Sequence, residues 1–219
     1  RMGADAVKVL AWYRPDADKK VLEAQQQYVQ KIGDECAKHD ILFLFELLVY
    51  PLSKDLYQTK EYVEMQNKKT DHVLESVREF SNEKYGVDVF KLESPVNVNK
   101  IADSDLNAFK EMGNIAGRPW VMLSAGAGKE EFKNVLKLAF KAGCSGFLAG
   151  RAIWLDAFMH YPNWDKIQNQ LESNAKDYLG EIGEMADKSA LSWNNHVCYG
   201  KDGSDFPYDN QEISLHYNE

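Results

Sequence analysis

The sequence predicts an α/β protein of the (β/α)8 TIM-barrel class, of which this chain carries about the last five β/α units. Short apolar, β-branched or aromatic runs alternate with longer, charge-rich stretches of helical period, the pattern of parallel strands joined by helical crossovers. Polar residues stand inside or at the ends of nearly every such strand: Lys8, Glu46, Lys91 with Glu93, Ser124, and Gly150 with Arg151. The first strand leads into Tyr13-Arg14-Pro15-Asp16-Ala17-Asp18, without the glycine-rich phosphate turn that a doubly wound sheet would place there. A barrel builds one site from the C-terminal ends of many strands, which is what these polar residues suggest.

Taken in order, the first strand is Ala6 to Tyr13, with Lys8 set among Ala6, Val7, Val9 and Leu10, and an amphipathic helix follows over Asp18 to Lys38. The second strand, Ile41 to Tyr50, is an apolar run holding Glu46; Lys54 to Lys84 then reads as two helices divided around Lys68 to Thr70. Val87 to Glu93 alternates with period two, placing Val89, Lys91 and Glu93 on one face and Phe90 and Leu92 on the other. A helix over Asp103 to Met112 leads to the strand Trp120 to Ala125, and the helix Lys129 to Lys141 leads to the strand Gly146 to Ala149. Helices over Arg151 to Met159 and Asp165 to Lys188 come next. The expected division is residues 1–193 as the C-terminal five-eighths of a barrel and 194–219 as an irregular tail containing Gly200, Gly203 and Pro207.

Each unit takes a few tens of residues, and a closed barrel needs eight, so the expectation is that three earlier units, roughly 100 residues, belong to the natural protein. The opening Arg1-Met2-Gly3-Ala4-Asp5 runs straight into a strand with no signal-peptide pattern. The 219 residues are 44% hydrophobic and 27% charged, an ordinary globular balance. No apolar run reaches the roughly 18 to 20 residues of a membrane span. A net charge of −8 argues against general attraction to nucleic acid or anionic lipid. Cys36, Cys144 and Cys198 are odd in number, widely spaced and without histidine partners, which disfavours a disulfide framework or a zinc site and makes the cytoplasm the expected compartment.

A lysine in mid-strand is either salt-bridged or a free amine available as a nucleophile, because an unpaired buried ammonium is costly. For Lys91 the plain reading is a salt bridge with Glu93 or with a neighbouring strand. Lys8 and Glu46 change the balance, because each lies mid-strand on a different strand of the same predicted barrel. A second cation near Lys91 would favour its free amine, and a nearby carboxylate can shuttle protons. The trio is thus the minimal kit of an imine-forming enzyme, with a buried ionic network as the alternative.

The fourth and fifth strands carry a different chemistry. Ser124-Ala125-Gly126-Ala127-Gly128 is a strand end and small-residue loop before a helix, and Gly150-Arg151-Ala152 repeats that plan with an arginine. Free N–H groups at a helix start suit an anion, and barrels often place a phosphate site after their last two strands. Ser124, Gly126, Gly150 and Arg151 are therefore the candidate phosphate-binding residues, Arg151 clamping by a forked pair of hydrogen bonds. Taken singly, either loop is also explained as a plain helix start.

The segments Gly3 to Leu10, Phe43 to Tyr50, Asp88 to Asn97, Leu123 to Gly128 and Gly146 to Trp154 together resemble the class I tagatose-1,6-bisphosphate aldolase family, and a relative that cleaves sulfofructose 1-phosphate shares much of the pattern. The resemblance runs to about Trp193, and its most specific parts are Lys91-Leu92-Glu93-Ser94-Pro95-Val96-Asn97 and Gly150-Arg151-Ala152. By position it implies that Lys91 is the Schiff-base lysine, Glu46 the acid/base glutamate and Lys8 a further site lysine, with phosphate contacts at Ser124, Gly126, Gly150 and Arg151. The implied activity is cleavage of a ketose 1-phosphate or 1,6-bisphosphate, such as tagatose 1,6-bisphosphate, without metal or other cofactor. The expected protein is a homo-oligomer that takes a small phosphorylated ketose and neither nucleic acid nor membrane. A non-catalytic phosphosugar-binding barrel and a metal-dependent aldolase remain the competing readings. His160 and His196 are expected at the surface or in the tail, Trp12, Trp120, Trp154 and Trp164 in core or rim packing, and Cys144 as a small buried apolar residue.

Overall fold

The computed structural model describes residues 4–52 and 70–200. Five parallel strands form one sheet in the order β1-β2-β3-β4-β5, with β1 at Ala6–Trp12, β2 at Leu42–Leu48, β3 at Val89–Leu92, β4 at Trp120–Leu123 and β5 at Phe147–Leu148. The helices are α1 (Lys19–Lys38), α2 (Thr70–Phe80), α3 (Leu106–Ala116), α4 (Lys129–Lys141), α5 (Arg151–Phe158), α6 (Trp164–Gln170) and α7 (Lys176–Ser189). The alternation expected from the sequence is present unit by unit. The predicted helix beginning at Lys54 falls largely on 53–69, which lie outside the described residues, as do Gly3 and the part of the tail from 201 onward.

Alternation along the strands sorts the side chains into two faces. Phe43, Phe45, Phe90, Leu92, Trp120 and Met122 point to the helices and are essentially solvent-free. Phe80 of α2 closes on this layer, 4.8 Å from the Phe45 ring and 4.7 Å from Tyr13. Each such buried aromatic contributes about 1.5–3 kcal/mol of transfer free energy, so this outer layer holds the sheet. α1 buries a narrow stripe, Val29, Gly33 and Cys36, because Gly33 brings the helix against backbone: a Cβ there would lie 2.0 Å from the Tyr85 carbonyl oxygen.

Some boundaries differ from the sequence reading. α3 runs past the expected end at Met112 to Ala116, since Gly113 packs against the Trp120 indole and Gly117, at φ +59, is the residue that can leave the helix left-handed. The long last helix is two helices, α6 and α7, joined by the π-helical turn Leu171–Ala175. His196, expected at the surface or in the tail, lies at the start of the tail and is buried there, its Nδ1 accepting the Cys198 backbone N–H at 3.3 Å. Trp120 lies in the core as expected, whereas Trp164 is mostly exposed and meets Tyr161 edge to face. All three cysteines are unpaired, with Cys144 fully buried. Among the described residues no helix is long and apolar enough to cross a membrane.

Candidate active site

The opposite face of the sheet carries the polar residues. Leu10, Glu46, Lys91 and Val121 occupy one row across β1, β2, β3 and β4 and project to the same side. Lys8, two residues before Leu10, shares that side and reaches forward so that its Nζ donates to Glu46 Oε2 at 2.7 Å. The same oxygen lies 3.0 Å from Lys91 Nζ. One carboxylate oxygen thus stands between two amines, so the second cation acts on Lys91 through an intervening acid rather than as a bare like-charged neighbour. Lys91 and Glu46 are the enclosed pair, at 16% and 9% side-chain exposure, while Lys8 at 49% closes the cluster from the solvent side. Glu93, the other acid considered for Lys91, is buried and accepts the Val49 backbone N–H at 2.7 Å, tying the end of β3 to the end of β2.

A cavity of about 310 Å³ opens beside Lys91. Glu46 and Lys91 form one wall, Ser124 and Ala125 a second, and Gly150, Arg151 and Trp154 a third. The structure therefore brings together the amine, the acid and three of the four expected phosphate-binding residues. Gly126 and Lys8 are not among the residues that line it. Gly126 is at the exposed tip of the loop, where the Ala127 N–H bonds the Ser124 carbonyl at 2.8 Å and Ala125 and Gly126 both take positive φ, +49 and +69. For the alanine, which lines the cavity, this left-handed conformation costs about 1–2 kcal/mol.

The two helix starts differ in charge. α4 has Glu130 and Glu131 in its first turn, so its own acids occupy the positive end of the helix. α5 begins at Arg151 behind Gly150, with no acid in its first turn and no side-chain cap, leaving that end open toward the cavity. The start of α5, lined by Gly150 and Arg151, is thus the acid-free helix end at the cavity. Trp154, expected in core or rim packing, meets Phe158 edge to face and also lines the cavity, which the sequence reading did not foresee. It lies three residues after Arg151, hence on the same helix face, and its indole Nε1 is 3.3 Å from where a Cβ on residue 150 would stand, so Gly150 is the residue that admits the ring. The helical spacing Arg-x-x-Trp was the signal that could have found it. Among the described residues no group of three or more His, Cys, Asp or Glu side chains could hold a metal ion.

Residues 1–156 match the sequence profile of the DeoC/LacD family aldolases. The chain belongs to that family. Within it, the chain is 33% identical over 204 residues to tagatose 1,6-diphosphate aldolase 1 of Enterococcus faecalis, an alignment covering 87% of this chain and 62% of the relative. It is 32% identical over 213 residues to tagatose 1,6-diphosphate aldolase 2 of Streptococcus mutans, covering 90% and 64%. The chain thus spans about three-fifths of the length of the curated relatives it matches. Among solved structures, a Schiff-base-forming fructose-1,6-bisphosphate aldolase superposes with a TM-score of 0.51 at 17% identity, over 78% of this chain and 59% of that one. An archaeal fructose 1,6-bisphosphate aldolase gives 0.50 at 16% identity, over 80% and 59%. At such identities the likeness establishes the fold: the five-stranded parallel sheet with its helices is part of a TIM barrel.

Proposed function

We propose that the protein is a class I aldolase acting on a ketose 1,6-bisphosphate, with Lys91 as the Schiff-base nucleophile. The observation that carries this reading is that Lys91 and Glu46 face the same cavity as Gly150 and Arg151, so an amine and an anion grip address one small molecule. With the C1 phosphate at Gly150, Arg151 and Ser124, the C2 ketone lies toward Lys91. Glu46 takes a proton from Lys91, the free amine adds to C2, and loss of water, with Glu46 returning a proton to the departing oxygen, leaves an iminium. The iminium draws the electrons of the C3–C4 bond as O4 gives its proton to the Glu46 carboxylate, which later returns it to C3. An aldehyde departs, and the remaining enamine is protonated at C3 and hydrolysed to dihydroxyacetone phosphate. Lys8, bonded to the same Glu46 oxygen, holds the acid in place and offers its charge to the substrate oxygens. The tagatose 1,6-diphosphate aldolases among the relatives support a phosphate at C6 as well.

The test is borohydride reduction of the purified protein with dihydroxyacetone phosphate, followed by peptide mass mapping. A reduced adduct on Lys91 is expected. Saturable binding of dihydroxyacetone phosphate without any adduct would instead establish a phosphosugar-binding barrel that has lost the chemistry.

A further inference from the structure

On the outer side of the sheet, α4 and α7 run alongside one another. Lys133 of α4 bonds Glu181 of α7 at 2.8 Å, partners 48 residues apart in the chain. One turn before, at nearly the same offset, the Tyr178 hydroxyl donates to the Lys129 carbonyl at 2.9 Å. One and two turns further on, the same offset sets Lys137 against Met185 and Lys141 against Ser189, so neither lysine faces an acid across the helix pair as Lys133 does. There a cavity of about 640 Å³ opens, walled by Lys137, Lys141 and Lys188 with Ile101, Asp103 and Met185.

The charge of this groove runs against that of the molecule. In a chain with 34 acidic and 26 basic residues, three lysines converge on a groove with one lining acid, Asp103. Lys137 and Lys141 stand at i and i+4 on one helix, a like-charge spacing that weakens a helix. Lys137 donates to Asn134 at 3.2 Å, Lys188 pairs with Glu184 at 3.1 Å, and the Lys141 side chain makes no ion pair or hydrogen bond with another described residue. Leu138, Phe140 and Met185 supply an apolar floor beneath the amines. Such a surface complements a ligand with concentrated negative charge and a small organic body.

We propose that this groove is a second anion site, binding a small phosphorylated molecule with its phosphoryl oxygens between Lys137, Lys141 and Lys188. It shares no lining residue with the cavity at Lys91, and the two lie at opposite ends of α4. The inference is independent of the chemistry assigned to Lys91. Inorganic pyrophosphate is the probe, titrated calorimetrically at low ionic strength into an Arg151→Met variant, which removes the main cation of the other cavity. One saturable site is expected, weakened at least tenfold when Lys137→Ala, Lys141→Ala and Lys188→Ala are added. These are exposed positions, and the triple replacement is expected to leave the circular dichroism spectrum unchanged. No saturable binding, or the same affinity with and without the three lysines, would overturn the proposal.

Discussion

Glu46 Oε2 lies 3.0 Å from Lys91 Nζ across the β2–β3 pair, where the two residues are register partners. Their meeting is set by hydrogen-bonded backbone, so no loop has to move to bring acid to amine. A bare salt bridge in a filled interior would have closed off Lys91. Here the cavity on its flank leaves room for a ligand carbon beside the nitrogen.

Lys91→Met should abolish the borohydride-trapped adduct and the cleavage of ketose bisphosphate together. Glu46→Gln keeps the shape but removes the proton acceptor, and should slow adduct formation by roughly 10²–10⁴-fold while still giving the reduced product on Lys91. Single-turnover trapping read by mass spectrometry separates the two variants.

Arg151→Met removes a charge-assisted contact worth about 1.5–3 kcal/mol, so KM for a phosphorylated substrate should rise about tenfold or more, with a smaller change in kcat. Trp154→Phe keeps the ring over Gly150 and loses the indole N–H; a smaller rise in KM is expected, reflecting a neutral hydrogen bond of about 0.5–1.5 kcal/mol. Steady-state kinetics on substrates with and without the C1 phosphate checks both, since neither variant should affect the unphosphorylated one.

Gly33→Ala reverses an ordinary rule. In a helix interior the change usually stabilises by roughly 0.5–1 kcal/mol, but here the added Cβ would lie 2.0 Å from the Tyr85 carbonyl oxygen, a backbone atom that cannot rotate away. A loss of about 1–3 kcal/mol or more is expected from the overpacking, measured as a lower urea midpoint.

Burial, and then the neighbouring Arg118, hold His196 below its ordinary value of 6.5. The unfolded chain therefore binds this proton more readily than the folded one. Stability contributed by the neutral ring is present above about pH 6.5 and is lost as pH falls from there through the lowered folded value. Urea unfolding at pH 7.5 and 5.5 should show a smaller pH dependence in His196→Gln than in the wild type, whatever the variant's absolute stability.

Much of the fold was legible in the sequence because a parallel strand buried by helices must be apolar on its outer face, and Phe43-Leu44-Phe45 or Val89-Phe90-Lys91-Leu92 leaves few other ways to place those side chains. Lys8, Glu46 and Lys91 stood out for the same reason, as charges where a strand has no use for them. The burial of His196 within the tail was not legible, because a histidine in a polar stretch carries no periodic signal of burial; only its place near Arg118 reveals it.

By itself the sequence determined which residues can be strand, helix and site, since periodicity and charge are local properties of the chain. Only the tertiary structure decided how they meet: that Glu46 lies between two amines, and that Ser124, Gly150 and Arg151 line one cavity with Lys91. Those facts depend on strand register and helix placement, which join residues tens of positions apart and leave no trace in the spacing of any single segment.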